Sequence, residues 1–349
     1  MGSLKSRLGR IKWFRAGMPA AWAYAGLLAL WWGLHVAFGD RIWWVALVSL
    51  FAPYLFVPLV LLAPLGLIRP RFRYWAAILL SVLIFTLAYG PPVAVRAAEP
   101  VESMDELTIL TFNILGYYDA EETVRAIVSE GTPDVVALQE LTPALARRLV
   151  DELGETYPHR LLEPLEGSQG RGVLSRYPMV PARPSGAPAV DPFCQVVEID
   201  VEGRTLTLYN AHLSVTEVWN YLGPGASFGE GIRGSFETRE QQAQRILEDV
   251  DRRQEPVMVV GDFNMTPQTD AYRALARRLK DAHREAGRGF GHTFPAHGGR
   301  FLGIPYPRRV VRIDLILYSP DWVAQEARVL REHGRSDHMP VLARLAWSQ

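Results

Sequence analysis

The sequence predicts an α/β domain preceded by an all-α transmembrane segment. Residues 18–95 contain three long apolar stretches that lack Asp, Glu, Lys and Arg. From residue 107 onward, short β-rich apolar runs alternate with amphipathic segments of helical period, the pattern of an α/β domain. Five short polar motifs each follow or interrupt one of these β-rich runs, where a rigid sheet presents side chains to a substrate.

The N-terminal segment, residues 1–96, is predicted to contain three membrane-spanning helices. A helix needs about 20 apolar residues to cross the hydrocarbon core. The predicted spans, at about 18–38, 43–68 and 75–95, meet this length, and tryptophans flank them as they do at membrane interfaces. Since no paired ionisable residues mark an ion path, we expect an anchor rather than a transporter.

The basic residues of this segment predict its orientation. Five Lys or Arg precede the first span and three Arg lie between the second and third, whereas Arg41 alone lies between the first and second. The excess of positive charge is typical of cytoplasmic loops. We therefore expect a multi-pass protein of the cytoplasmic membrane with its N-terminus inside. Residues 97–106 read as a linker, and residues 107–349 as an extracytoplasmic domain.

The charge of that domain is hidden by the neutral average. Residues 1–96 hold ten basic residues and one acidic residue, leaving 37−10 = 27 basic and 37−1 = 36 acidic residues for 97–349, a net charge of −9. Such a balance repels polyanions and lacks the basic footprint of a nucleic-acid binder. The single cysteine, Cys194, excludes an internal disulfide and a cysteine metal cluster.

Apolar runs and helical periodicity predict the strands and helices of the domain. Two long loops, 215–235 and 284–309, are of the kind that form lids or rims of a site. In chain order the expected strands and helices are strand 107–112, helix 119–129, strand 135–138, helix 143–153, strands 172–175, 194–201 and 204–209, helix 236–250, strand 257–260, helix 270–279, and strands 312–317 and 341–345.

The polar motifs combine oxygen ligands for a hard cation with two imidazoles that can move protons. They therefore describe a metal-assisted phosphate-ester hydrolase. The motifs are Thr-Phe-Asn at 111–113, Leu-Gln-Glu at 138–140, Asn-Ala-His at 210–212, Gly-Asp-Phe-Asn at 261–264 and Ser-Asp-His at 336–338.

Seven motifs in order resemble the endonuclease/exonuclease/phosphatase superfamily, which includes deoxyribonuclease I, inositol polyphosphate 5-phosphatases and bacterial sphingomyelinases. They are TFNI, LQE, GVLSRYP, NAHL, GDFNMTP, RIDLIL and SDHMPV, and they span about 107–346. The resemblance implies a two-sheet α/β sandwich of the deoxyribonuclease I type, with the site where the loops of the two sheets meet. It also implies a Mg²⁺-dependent phosphoric ester hydrolase.

The resemblance implies the metal ligands. Glu140 would be the principal ligand of Mg²⁺, with Mn²⁺ as an alternative, and Asn113 and Asp337 would complete the set. Few carboxylates suffice because Mg²⁺ keeps several waters. Taken alone, Glu140 could equally be a helix cap or one partner of a surface ion pair.

The remaining candidates would act on water and phosphate. Asp262 can orient and deprotonate an attacking water, and Asn264 can hold that water or a phosphoryl oxygen; an Asx turn is the alternative. His212 and His338 would donate to non-bridging oxygens, with a structural role as the alternative. By resemblance, Asp314 would hold the charged form of His338. Asn210 would bind phosphate or support the site.

Three functions remain open at this point. The first is a membrane-tethered phosphoesterase acting on a phospholipid headgroup or another small phosphoester, with the lipid bilayer as partner and no partner protein. The second is an extracytoplasmic nuclease, which the charge of −9 disfavours. The third is a degenerate receptor or scaffold, which the complete set of motif residues disfavours. Aromatic residues of the two long loops could contact lipid: Trp219, Tyr221, Phe228, Phe301 and Tyr306.

Overall fold

The computed structural model describes residues 2–68, 71–89, 106–116, 120–216, 227–301 and 303–348. The chain divides into two units, Met1–Val93 and Ala94–Gln349. This division falls close to the predicted boundary between the transmembrane segment and the second domain.

The first unit is entirely helical in its described part. Two of its segments, Met18–Arg41 and Phe72–Tyr89, are long and apolar enough to cross a membrane. Many of their large apolar side chains are exposed, among them Leu27 and Leu79, as expected of surfaces that face lipid rather than water. The helices are α1 (Gly2–Phe38), α2 (Trp43–Leu50), α3 (Pro58–Ile68) and α4 (Phe72–Tyr89).

The predicted second span, 43–68, differs from the expected single helix. Helix α2 and the following segment Ala52–Leu67 meet at an angle of 77°, so the described residues contain two candidate spans, or three if this bent pair is one span. The bend falls at Phe51, two residues before Pro53, which lacks the N–H that would continue the helical hydrogen bonds. The predicted third span begins earlier, at Phe72, and its last residues, 90–95, lie outside the described residues.

The second unit contains strands and helices in alternation. Its helices are α5 (Ala120–Val128), α6 (Pro143–Leu153), α7 (Phe228–Val250), α8 (Asp270–Arg278) and α9 (Ala282–Ala286). Its strands are β1 (Glu106–Asn113), β2 (Val135–Gln139), β3 (His159–Glu163), β4 (Arg171–Ser175), β5 (Met179–Pro181), β6 (Cys194–Val201), β7 (Arg204–His212), β8 (Val257–Asp262), β9 (Lys280–Asp281), β10 (Gly299–Phe301), β11 (Ile304–Tyr306), β12 (Asp314–Tyr318), β13 (Trp322–Val329) and β14 (Val341–Trp347).

These strands form two six-stranded mixed sheets and one hairpin. The first sheet has the order β13-β14-β1-β2-β4-β3, the second has the order β5-β6-β7-β8-β12-β9, and β10 pairs with β11. The two-sheet α/β sandwich expected from the sequence is therefore confirmed.

The core of the second unit has three apolar layers. One layer lies between the sheets, a second joins the first sheet to α5 and α6, and a third joins the second sheet to α7 and α8. Strand β8 shows how the sequence achieves this, because Met258 and Val260 belong to the layer between the sheets whereas Val257 and Val259 belong to the outer layer. A strand buried on both faces reads as an uninterrupted apolar run, which is why Val257–Val260 was recognisable.

Helix α7 extends further than the sequence predicts. It begins at Phe228, so the last part of the expected loop 215–235 is helical. Gly229, Gly231 and Gly234 lower the intrinsic helix propensity of this segment, so propensity alone does not predict a helix there. The short edge strands β3, β5 and β9 and the hairpin in the loop 284–309 were also not predicted, since short strands have little periodicity. The eight-residue edge strand β13 was missed because a bulge between Ala324 and Glu326 interrupts its alternation.

Candidate active site

Four of the five polar motifs lie at the C-terminal ends of the one parallel strand pair in each sheet, and the fifth, Ser-Asp-His, lies just before β14, whose first residue pairs with Thr111 near the end of β1. Asn113 of β1 lies opposite Gln139 of β2, and His212 of β7 lies opposite Asp262 of β8. Asn113 Nδ2 donates to Asp262 Oδ2 at 3.1 Å, and Gln139 Nε2 donates to Asn210 Oδ1 at 2.7 Å. Since parallel strands end at the same edge, the two sheets bring motifs distant in sequence together there.

Glu140 occupies an uncommon backbone conformation directly after β2. Its φ is +59°, in the left-handed region that non-glycine residues seldom adopt. Gly116 donates its N–H to the Glu140 carbonyl at 3.0 Å, and a Cβ at Gly116 would lie only 2.2 Å from that oxygen. Strain of this kind persists where the surroundings hold it, and it concentrates at functional sites.

The side chain of Glu140 is largely buried and faces Asn113 and His212. Its Oε1 accepts a hydrogen bond from Asn113 Nδ2 at 3.0 Å. Burial raises the pKa of the Glu140 carboxyl, and it outweighs the Asn113 hydrogen bond and the charge of His212, which lower that pKa. The described residues around Glu140 do not fully compensate for the desolvation of its carboxylate. A cation bound to this carboxylate would therefore offset the remaining cost.

Asp262 accepts three hydrogen bonds and is almost completely buried. The backbone N–H of Asn264 donates to its Oδ1 at 2.9 Å, and the side-chain amides of Asn113 and Asn264 donate to its Oδ2 at 3.1 and 3.2 Å. Asn264 has a φ of +49° and also donates to the carbonyl of Leu213 at 3.0 Å. The Asx turn that the sequence presents as the alternative is therefore present, and the same contacts place Asn264 beside Asp262 in the candidate site.

His212 lies between the two acidic motifs. Its Nε2 is 3.7 Å from Glu140 Oε1 and 3.6 Å from Asp262 Oδ2. Its backbone N–H donates to the carbonyl of Phe193 at 2.8 Å, which holds the end of β7. The sequence identified no carboxylate partner for His212, and the structure provides these two.

His338 and Asp314 form a buried pair. Nδ1 of His338 lies 3.0 Å from Asp314 Oδ2, and its Nε2 lies 3.7 Å from Asp262 Oδ2. Burial by itself lowers the pKa of His338, but the charges of Asp314 and Asp262 outweigh it and raise that pKa to about 10. These charges favour the imidazolium form of His338, which can donate from both ring nitrogens.

Two hydroxyl groups that the sequence analysis did not assign hold these loops together. Ser336 Oγ donates to the Asn113 carbonyl at 2.6 Å and accepts the N–H of His338 at 3.0 Å. Thr293 Oγ1 accepts the N–H of Asp314 at 3.3 Å, and its carbonyl accepts the N–H of Met339 at 3.0 Å. Ser336 belongs to a recognised motif, whereas nothing local in the sequence distinguishes Thr293.

Asn210 is fully buried and its amide is used between the sheets. Its Nδ2 donates to the carbonyls of Leu138 and Gly172 at 3.0 and 3.2 Å, and its Oδ1 accepts from Gln139. Of the two roles that the sequence suggests for Asn210, these contacts match support of the site and leave no amide hydrogen for phosphate. Gln139, inside the Leu-Gln-Glu motif, is the partner that the sequence analysis missed.

Two different sets of described residues could hold a metal ion. The ligand atoms of Asp262, Asp314 and His338 all lie within 4.8 Å of one another. Asp314 and His338 already bind each other, and a protonated imidazole cannot be a ligand, so these distances describe an acid–base pair as well as a possible ion site. The other set is the predicted one, Asn113, Glu140 and Asp337, whose oxygen donors suit Mg²⁺. Asp337 is half-buried and its carbonyl accepts the N–H of Ala296 at 2.6 Å.

The predicted aromatic rim is described only in part. Trp219 and Tyr221 and the side chain of Phe301 lie outside the described residues. Phe228 is half-buried in the first turn of α7, and Tyr306 on β11 is 40% exposed.

Comparison with known proteins identifies a family and similar folds for the second unit. The model of the Endonuclease/Exonuclease/phosphatase family matches residues 110–338, which is more than half of the chain. A humanized D. rerio TDP2 is 18% identical, with a TM-score of 0.52, over 69% of this chain and 99% of that one. An endonuclease/exonuclease/phosphatase family protein from Bacteroides thetaiotaomicron is 17% identical, with a TM-score of 0.50, over 70% of this chain and 95% of that one. No curated protein sequence matches.

The second unit thus has a hydrolase fold, a two-sheet sandwich with two histidine–carboxylate groups at the shared edge of its sheets. The chain belongs to the endonuclease/exonuclease/phosphatase family, whose members are phosphoesterases and nucleases that generally use divalent metals.

Proposed function

We propose that the chain is a membrane-anchored, divalent-metal-dependent phosphoesterase that hydrolyses a phosphoester by in-line attack of an activated water. One observation carries the proposal. The Nε2 atoms of His212 and His338 lie 3.6 and 3.7 Å from the same oxygen, Oδ2 of Asp262. A base and two potential cationic donors around one point suit a reaction in which a water loses a proton while charge builds on phosphoryl oxygens.

The roles follow from the contacts of each group. Asp262 is held by the backbone N–H and the side-chain amide of Asn264 and would accept the proton of the attacking water. His338, kept protonated by Asp314, would donate from Nε2 to a non-bridging phosphoryl oxygen. His212 would donate from the opposite side. Because these donors are fixed before the reaction, they need not reorganise as charge develops.

Mg²⁺, with Mn²⁺ as an alternative, would be held by Glu140, Asn113 and Asp337. The donor chemistry fits, since Glu140 is a buried carboxylate whose desolvation raises its pKa. Asn113 would have to present its amide oxygen, which requires the opposite amide orientation from the one that donates to Glu140. When bound, the ion would neutralise phosphoryl charge as a Lewis acid.

The proposed substrate is a membrane-associated phosphoester, a phospholipid headgroup or a small diester outside the cytoplasmic membrane. The apolar helices of the first unit support tethering, which raises the effective concentration at a bilayer. The net charge of −9 over residues 97–349 disfavours nucleic acid. A degenerate scaffold is disfavoured because every motif residue expected of an active enzyme is present.

The test is hydrolysis by the full chain in nanodiscs, using bis(4-nitrophenyl) phosphate, phospholipids, inositol phosphates and DNA, with Mg²⁺ and with EDTA. We expect turnover that needs the metal and is faster on a bilayer phosphoester than on DNA. Glu140→Gln should weaken metal dependence and activity together, whereas Glu155→Gln, at an exposed position on the same unit, should change neither. Metal-independent turnover, or none on any substrate, would refute the proposal, and preferential DNA cleavage would favour the nuclease.

A further inference from the structure

We propose that a cluster of basic side chains beside the candidate active site binds a second anionic group of the substrate, so that the substrate is a compact phosphoester carrying at least two anionic groups. This inference rests on the proposed function and narrows its substrate class. The basic patch, as we name it, consists of His297, Arg308, Arg309, Arg331 and His333.

Two loops build the basic patch. The backbone N–H of Arg309 donates to the carbonyl of Pro295 at 2.7 Å, which closes the loop that carries His297 and Arg308. The rings of His297 and His333 are in edge contact, with centroids 4.6 Å apart, and they join this loop to the loop that precedes β14. The five side chains therefore form one surface.

The same loops carry catalytic candidates. The ring of Phe294 lies 4.9 Å from the ring of His338, centroid to centroid. The backbone N–H of Ala296 donates to the carbonyl of Asp337 at 2.6 Å, and the carbonyl of His333 accepts the N–H of Ser336 at 3.1 Å. A phosphate held by the patch would thus lie on the side of the candidate site that Asp337 and His338 line.

The positive charge of the patch is not neutralised by the described protein. Within the described ranges, Arg308, Arg309 and Arg331 make no ion pair with a carboxylate. Neighbouring arginines do: Arg335 lies 3.4 Å from Glu122, and the buried Arg312 lies 2.7 Å from Asp281. Burial lowers the pKa of His333, and the charges of His297 and Arg309 lower it further, against a smaller opposing effect of the Glu332 carboxylate.

The charged guanidinium of Arg309 is destabilised by its surroundings, and a bound anion would relieve this destabilisation. Burial lowers the pKa of its guanidinium, and the like charges of Arg308 and Arg331 lower it further. Its Nε is buried with no hydrogen-bond partner among the described residues, and its φ is +57°. A buried donor without a partner and a strained backbone at the same residue indicate a position kept for a ligand.

The size of the patch argues for a compact ligand. Three arginines and two histidines lie within a domain whose net charge is −9. A long polyanion would extend over acidic surface, whereas a small dianion would contact only the patch and the site. Arginine is suited to this task because its planar guanidinium binds a phosphate with two hydrogen bonds.

The experiment compares two non-hydrolysable probes that differ by one anionic group, propylphosphonate and 1,3-propanebisphosphonate, as inhibitors of bis(4-nitrophenyl) phosphate hydrolysis by the full chain with Mg²⁺. We expect the bisphosphonate to bind about tenfold more tightly or better, the effect of adding a charge-assisted hydrogen bond. The Arg308→Gln/Arg331→Gln variant should lose this preference. It should keep diester turnover and propylphosphonate inhibition within about twofold of the wild type, which also verifies its fold. Arg277→Gln, the removal of an exposed charge on α8, is the matched control and should keep the preference.

Equal inhibition by the two probes, or a preference that survives in the double variant, would overturn the proposal. A single-stranded oligonucleotide that binds more tightly than the bisphosphonate, and whose tighter binding is lost in the double variant, would also overturn the proposal. The patch would then bind a nucleic-acid chain rather than a compact ligand. Absence of turnover by the wild type on every substrate of the panel would instead refute the proposed function. Comparing a soluble bisphosphorylated ester with a phospholipid that carries an extra phosphate then distinguishes a free from a lipid-borne source.

Discussion

The pair of Asp314 and His338 allows a quantitative prediction. Asp314 contacts Nδ1 of His338 with both carboxylate oxygens, at 3.0 and 3.1 Å, and it is the foremost of the charges that raise the His338 pKa from 6.5 to about 10. That difference corresponds to on the order of 5 kcal/mol in favour of the imidazolium. Asp314→Asn removes the charge while it keeps the shape of the side chain.

We expect two consequences for catalysis. At neutral pH a large share of His338 becomes neutral, so turnover should fall about 10²–10³-fold, the effect of losing one transition-state donor. In the wild type the contribution of His338 is present below its pKa and is lost as the pH rises through about 10. In the variant that loss should begin at lower pH, because burial now dominates the pKa of His338.

The assay is the initial rate of bis(4-nitrophenyl) phosphate hydrolysis from pH 6 to 10 at saturating Mg²⁺, with thermal unfolding as a check of folding. Asp251→Asn is the control, since Asp251 is exposed and, among the described residues, forms an ion pair with Arg278 alone, at 2.8 Å. A folded Asp314→Asn protein with near-normal turnover and an unchanged alkaline limit would show that Asp314 does not act through the charge of His338.

Three further predictions concern stability and orientation. Asn210→Leu should lower the free energy of unfolding by about 3 kcal/mol, because the carbonyls of Leu138 and Gly172 and the amide of Gln139 lose their buried hydrogen-bond partner. An unchanged melting temperature of the variant in nanodiscs would contradict this prediction. Burial raises the pKa of Asp281, but Arg312 and Tyr272 outweigh burial and lower that pKa to about 2. The ion pair of Asp281 with Arg312 should therefore stabilise the fold above about pH 4 and lose its contribution as the pH falls towards 2. Acid unfolding of Asp281→Asn, monitored by circular dichroism, should lack that component. A reporter fused after Gln349 should be active only outside the cytoplasm, since the basic clusters precede the first and third predicted spans; cytoplasmic reporter activity would exclude the orientation.

The sheets and most site residues were predictable because their signals are local. A strand that is buried on both faces is an unbroken apolar run, as in Val257–Val260, and the polar residue that ends it marks the edge of the sheet. Asn113, His212 and Asp262 were recognised in this way. The family resemblance then supplied Asp314 as the partner of His338, although the two residues are 24 positions apart.

Sequence alone determined the fold class, the motif residues and the presence of long apolar stretches, because these depend on side-chain type and spacing. Tertiary structure decided which polar atoms are already bonded and which charges lie together. Asn210 and Asn264 read alike in the sequence, yet Asn210 is fully buried between the sheets whereas Asn264 lies beside Asp262 in the site. Arg309 and Arg312 are three residues apart, yet Arg312 is buried against Asp281 and Arg309 has like charges as neighbours. Such differences arise from contacts between distant segments, which no local pattern encodes.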